Sequence, residues 1–126
     1  EAVTMSVNKV HKLFPNSKEK EKLFKLIENA TDAYLDCDGS TDDLEVIRQL
    51  GSGWVAEETL AIAVYCACKY ADNFEDAIVA AVNHSGDSDS TGALTGCLVG
   101  LLVGIHNIPK KYEIIRNSIL TNYDFN

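Results

Sequence analysis

The stretch LAIAVYCAC, residues 60–68, constrains the fold more than any other. It is apolar on every side of a helix, so it needs neighbours all round it. Such a segment belongs at the centre of a helical assembly. The sequence holds no alternating stretch long enough to offer a sheet instead. Residues 2–14 carry Val3, Val7, Val10, His11 and Phe14 at helical spacing, and Pro15 and Asn16 break that run. Ser17 is placed to cap a second helix, whose stripe of Leu23, Leu26, Ile27 and Ala30 continues toward Leu35. DCDGST, 36–41, reads as a loop, and Thr41 or Asp42 as the cap of a short helix through Leu44, Val46, Ile47 and Leu50. Gly51 and Gly53 end it. The central helix starts near Val55, with Glu57 and Glu58 in its first turn, where negative charge suits the helix dipole. Asn73 caps FEDAIVAAVN, another helix runs to about Gly104, and Pro109 starts a last one with Tyr112, Ile115, Ile119 and Leu120. The expectation is a single all-α domain over residues 1–126, an orthogonal bundle of about six helices.

Gly92, Gly96, Gly100 and Gly104 recur every four residues and form one stripe without side chains. Each interior glycine costs about 1 kcal/mol against alanine, so close approach by a neighbour must offset it. The apolar helix at 56–70 is the expected neighbour. The uncharged run from Ser90 to Ile105 falls short of the ~20 apolar residues of a membrane span and reads as a buried helix. No basic and apolar leader opens the chain. Cys66 and Cys68 point roughly 200° apart on a helix and cannot grip one metal. With Cys37 and Cys97 they read as reduced, small hydrophobes in a cytoplasmic protein. The net charge of −8 argues against a nucleic-acid backbone as ligand and is compatible with a site that collects a cation.

NHSGDSDSTG, 83–92, is the stretch that carries chemistry. Asp87 and Asp89 are hard oxygen donors, and Ser90 adds a hydroxyl at or beside a helix start. In an extended or turn segment, donors at i, i+2 and i+3 can converge on one cation. Hard oxygens select Mg²⁺, Ca²⁺ or Mn²⁺ over zinc. Ser85 and Gly86 let the chain bend, and Gly92 lets the backbone approach a ligand. The plainer reading is an N-cap followed by an acidic turn. An EF-hand is excluded, because the loop lacks the spacing and the closing glutamate.

AVNHSGDSDSTGALTG closely resembles the C-terminal signature of the ADP-ribosylglycohydrolase family, also called the dinitrogenase-reductase-activating glycohydrolase family. LGSGWVAEETLAIAVYC and FEDAIVAAVNHSGDSDS resemble it too, in the same order, so the likeness covers about residues 44 to 115. The resemblance implies an all-α fold with a binuclear Mg²⁺ or Mn²⁺ centre. It implies hydrolysis of the bond between ADP-ribose and an acceptor such as arginine or serine, on an ADP-ribosylated protein or small molecule. Asp87, Asp89 and Ser90 match the family's metal ligands. His84, Ser85 and Gly86 beside them are the expected substrate contacts; a structural role for His84 is the other reading.

The family's remaining ligands come from an N-terminal Thr-Asp-Asp-type segment. STDD, 40–43, is read instead as a helix cap, since it lies directly before the segment that resembles the family's C-terminal region. Two aspartates and a serine cannot complete two octahedral shells. The chain therefore reads as the C-terminal part of such a hydrolase, a poor catalyst alone, completed by the missing N-terminal part or by another chain. The alternative is a non-catalytic helical module that keeps a partial ADP-ribose or metal site. Trp54 reads as a core or rim aromatic, or as the lining of a nucleotide pocket. His11 and His106 have no expected chemistry, and KEKEK, 18–22, is a solvated face.

Overall fold

The structure, a computed structural model, describes residues 1–112 and is all-α over them. Six α-helices follow in order: α1 (Ala2–Leu13), α2 (Glu19–Leu35), α3 (Asp43–Leu50), α4 (Ala56–Lys69), α5 (Phe74–Val82) and α6 (Ser88–Val103). A 3-10 turn at Ile105–Asn107 comes after them. As its composition requires, α4 is central, with every residue from Ala61 to Ala67 buried. α2 and α6 pack along it, and α5 lies against both α4 and α6. The core joins Ala30 of α2, Ile47 and Leu50 of α3, Ile62 and Tyr65 of α4, and Ala81 of α5.

Local chemistry sets the helix boundaries. Asp42 accepts from the Leu44 N–H at 3.0 Å and Asn73 from the Asp76 N–H at 3.1 Å, so both cap as their residue types suggest. Gly51 closes α3 at φ 133°, and Gly104 closes α6 at φ 77°, conformations that glycine adopts without strain. Ser17 does not cap α2. Lys18 stands at the N-cap, and the Ser17 hydroxyl donates to Glu19 Oε2 at 2.8 Å. The buried Lys20 ammonium donates to the Phe14 and Pro15 carbonyls, both at 2.8 Å, and so ties the end of α1 to α2.

Gly92 and Gly96 of the glycine stripe face α5, not α4. A Cβ on Gly92 would fall 2.6 Å from Val82 Cγ1, and one on Gly96 would fall 3.3 Å from Ile78 Cδ1. Leu98 and Val99, on another side of α6, pack into the clusters that α4 contributes to. The close approach was the right inference, but α5 is the helix that makes it. The last helix expected from Pro109 is described only at residues 110–112; Ile115, Ile119 and Leu120 lie outside the described residues. All four cysteines are free, and burial pushes the Cys66 thiol up to about 12, which keeps it protonated. Among the described residues no helix is long and apolar enough to cross a membrane.

Candidate functional site

The acidic turn lies between α5 and α6. Asp87 is the N-cap residue of α6, so Asp89 and Ser90 fall in the helix's first turn and not in an extended segment. The Asp87 carboxylate makes no capping hydrogen bond, unlike the side chains of Asp42 and Asn73. It lies beside Asp89 instead. The Asp89 carboxyl is held below the usual carboxylate range, first by Asp87 and then by the N–H groups of Ser90 and of Asp89 itself. Asp89 is exposed, while Asp87 and Ser90 are partly buried.

His84 orders the turn. Its Nδ1 accepts from the Gly86 N–H at 3.1 Å, so the neutral ring carries its proton on Nε2. Nε2 then donates to Thr91 Oγ1 at 3.0 Å, and that hydroxyl donates to the Ala81 carbonyl at 2.7 Å. Both ring nitrogens are engaged within the protein. Ser88 Oγ donates to the His84 carbonyl at 2.9 Å and closes the turn from the other side.

The turn is docked on the loop between α3 and α4. The Asp87 N–H donates to the Ser52 carbonyl at 2.8 Å. Gly86 is required at this contact, since a Cβ there would lie 1.9 Å from the Ser52 oxygen. A cavity of about 390 Å³ opens at the same junction. His84, Ser85 and Gly86 line it together with Ser52 and Arg48; Asp87, Asp89 and Ser90 do not. Trp54, on the same loop, is 71% exposed and not a core residue.

The STDD segment is used structurally. Asp42 caps α3, and the Asp43 carboxylate accepts from Tyr65 OH and Lys69 Nζ at 2.6 Å each and from Tyr70 OH at 2.5 Å. Partial burial works against that carboxylate, but the three donors outweigh burial and hold its pKa below the ordinary range. Glu57 pairs with Lys22 at 2.6 Å. Glu58 does not simply sit in the helix field, as its first-turn position suggested; it accepts the Ser52 and Gly53 N–H groups. Thr91 and Ser52 are the supporting residues that motif reading passes over. Their only sequence trace is that they fall inside the same two glycine-bearing stretches.

The donor set has the chemistry of a hard-cation site, with two adjacent carboxylates and a hydroxyl. The described residues hold no group of three or more His, Cys, Asp or Glu side chains able to share an ion. A family model described as ADP-ribosylglycohydrolase matches residues 2–118. The match reaches back through α1 and α2, beyond the motif-bearing stretch from residue 44. Those two helices carry amphipathic periodicity without a motif, so nothing in them stands out to the eye. No curated protein and no solved structure matches the chain.

Proposed function

The chain belongs to the ADP-ribosylglycohydrolase family, and from that premise we propose that it forms the C-terminal part of a hydrolase that frees ADP-ribose from an acceptor such as arginine. Family membership supports the glycohydrolase class of activity. The observation that carries the assignment to this site is the Asp87 carboxylate, which stands at a helix N-cap, leaves the capping amides alone and lies against Asp89. In this reading Asp87, Asp89 and Ser90 hold Mg²⁺ or Mn²⁺. The complete site takes two ions, with further ligands from an N-terminal part or another chain. When bound, such ions supply the positive charge that orders ribose hydroxyls and water and offsets charge as the glycosidic bond breaks.

The chain's own residues have separate tasks. Asp87 and Asp89 provide carboxylate oxygens. His84 and Thr91 keep the turn in one conformation, and Ser85 and Gly86 present its outer edge to the substrate, an ADP-ribosylated protein or small molecule. Trp54, exposed on the neighbouring loop, is available to a nucleotide. A cytoplasmic location, as four free thiols suggest, belongs to the same reading.

The test is Mg²⁺-dependent release of ADP-ribose from ADP-ribosyl-arginine. It is measured for this chain alone and after mixing with a segment that supplies Thr-Asp-Asp-type ligands. Release is expected in the mixture, with little from the chain alone, and Asp89→Asn should remove it. A well-folded mixture that binds ADP-ribose but releases none from the substrate would favour the non-catalytic binding module.

A further inference from the structure

We propose that Glu58 is a positioning residue for the Asp87–Asp89 turn, acting through the backbone of residues 51–53. Its Oε2 accepts from the Ser52 and Gly53 N–H groups, each at 3.1 Å. Thr59, the next residue, donates its hydroxyl to the Gly53 carbonyl at 2.8 Å. The first turn of α4 thus holds the loop by both kinds of backbone group. Held this way, the loop aims the Ser52 carbonyl at the Asp87 N–H, 2.8 Å away.

Each joint in this path contains a glycine. A Cβ on Gly51 would lie 2.5 Å from Glu58 Cδ, one on Gly53 would lie 2.9 Å from Thr91 Cγ2, and one on Gly86 would lie 1.9 Å from the Ser52 oxygen. Gly51 and Gly53 also hold φ of 133° and 78°, which side chains disfavour. Glu57, in the same helical turn, reaches Lys22 instead. The two acids that look alike in sequence therefore do different things, and only Glu58 connects to the turn. The inference rests on the proposed hydrolase reading only for what the turn is used for.

Two substitutions separate this role from a helix-dipole role. Glu58→Gln keeps the reach and an oxygen for both N–H groups but removes the charge. Glu58→Asp keeps the first-turn charge but draws the oxygen back by one methylene. Hydrogen exchange of the Asp87 amide in the 126-residue chain is the readout, with the Ile62 amide as reference for global opening. Glu58→Asp is expected to speed Asp87 exchange about tenfold, the worth of roughly one hydrogen bond. Glu58→Gln should stay near wild type, with Ile62 unmoved in both. The opposite ranking, or unchanged Asp87 exchange in both variants, overturns the proposal and returns Glu58 to the dipole. Should Glu58→Asp not fold, Glu58→Gln decides alone: retained protection is expected, and about tenfold faster exchange refutes the clamp. Mn²⁺ binding by the wild-type chain mixed with the segment that supplies Thr-Asp-Asp-type ligands, followed by electron paramagnetic resonance, is measured in parallel. Absence of binding there counts against the hydrolase reading, while the exchange data still judge the clamp.

Discussion

Thr91 and Thr95 sit one helical turn apart on α6, both fully buried, yet their hydroxyls have opposite circumstances. Thr91 Oγ1 stands between His84 Nε2 and the Ala81 carbonyl, whereas Thr95 Oγ1 has no partner among the described residues. Removing the first hydroxyl strands a ring N–H and a carbonyl; removing the second relieves an unmet group. Thr91→Val is expected to cost about 1–3 kcal/mol and Thr95→Val to be neutral or stabilising by up to about 1 kcal/mol. Urea denaturation of both variants checks the contrast, and equal losses would contradict it. The sequence announces two threonines on an apolar helix. It does not announce which one has partners, because those partners come from the end of α5 and the turn beyond it.

α6 shows the same division at the level of the element. Its four-residue glycine period is visible in the sequence and implies a close neighbour, but the period carries no name for that neighbour. α5 takes the place, and its Val82 and Ile78 reach into the space that the missing side chains leave. The glycines are consequently unequal. A Cβ on Gly100 would meet its nearest atom at 3.7 Å, an ordinary contact, while one on Gly92 would collide with Val82 at 2.6 Å. Gly100→Ala is expected to stabilise by about 0.5–1 kcal/mol through helix propensity. Gly92→Ala should destabilise by about 1–3 kcal/mol through overpacking. Thermal and urea unfolding of the two variants gives the comparison, and a stabilising Gly92→Ala would show that the α5 contact is looser than described.

In the whole molecule, the Asp43 cluster joins the start of α3 to the end of α4, while the 51–53 loop joins the end of α3 to the start of α4 and to the acidic turn. The short α3 is thus tied at both ends. Because the folded pKa of Asp43 lies below its unfolded value of about 3.9, its contribution is present above that pH and drains as pH falls through the folded pKa. Lys69 is shifted upward: burial opposes its charge, and Asp43 more than compensates. Its share is lost only in strong alkali, as pH rises through its folded pKa. Asp43→Asn is therefore expected to cost roughly 1–2 kcal/mol at neutral pH and to flatten the acid limb of stability below about pH 4. Urea midpoints across that range test it, and parallel acid limbs for wild type and variant would contradict it. The sequence by itself determined the all-α class, the central place of α4, most helix boundaries and the acidic motif. All of these follow from side-chain periodicity and local backbone chemistry, which need no knowledge of distant neighbours. Only the tertiary structure decided that α5 packs on Gly92 and Gly96, that Asp43 binds Lys69 and two tyrosines, and that Glu58 holds the loop beneath Asp87. Those are contacts between residues far apart in the chain or hidden by equivalent composition, and geometry alone selects among the partners that chemistry allows.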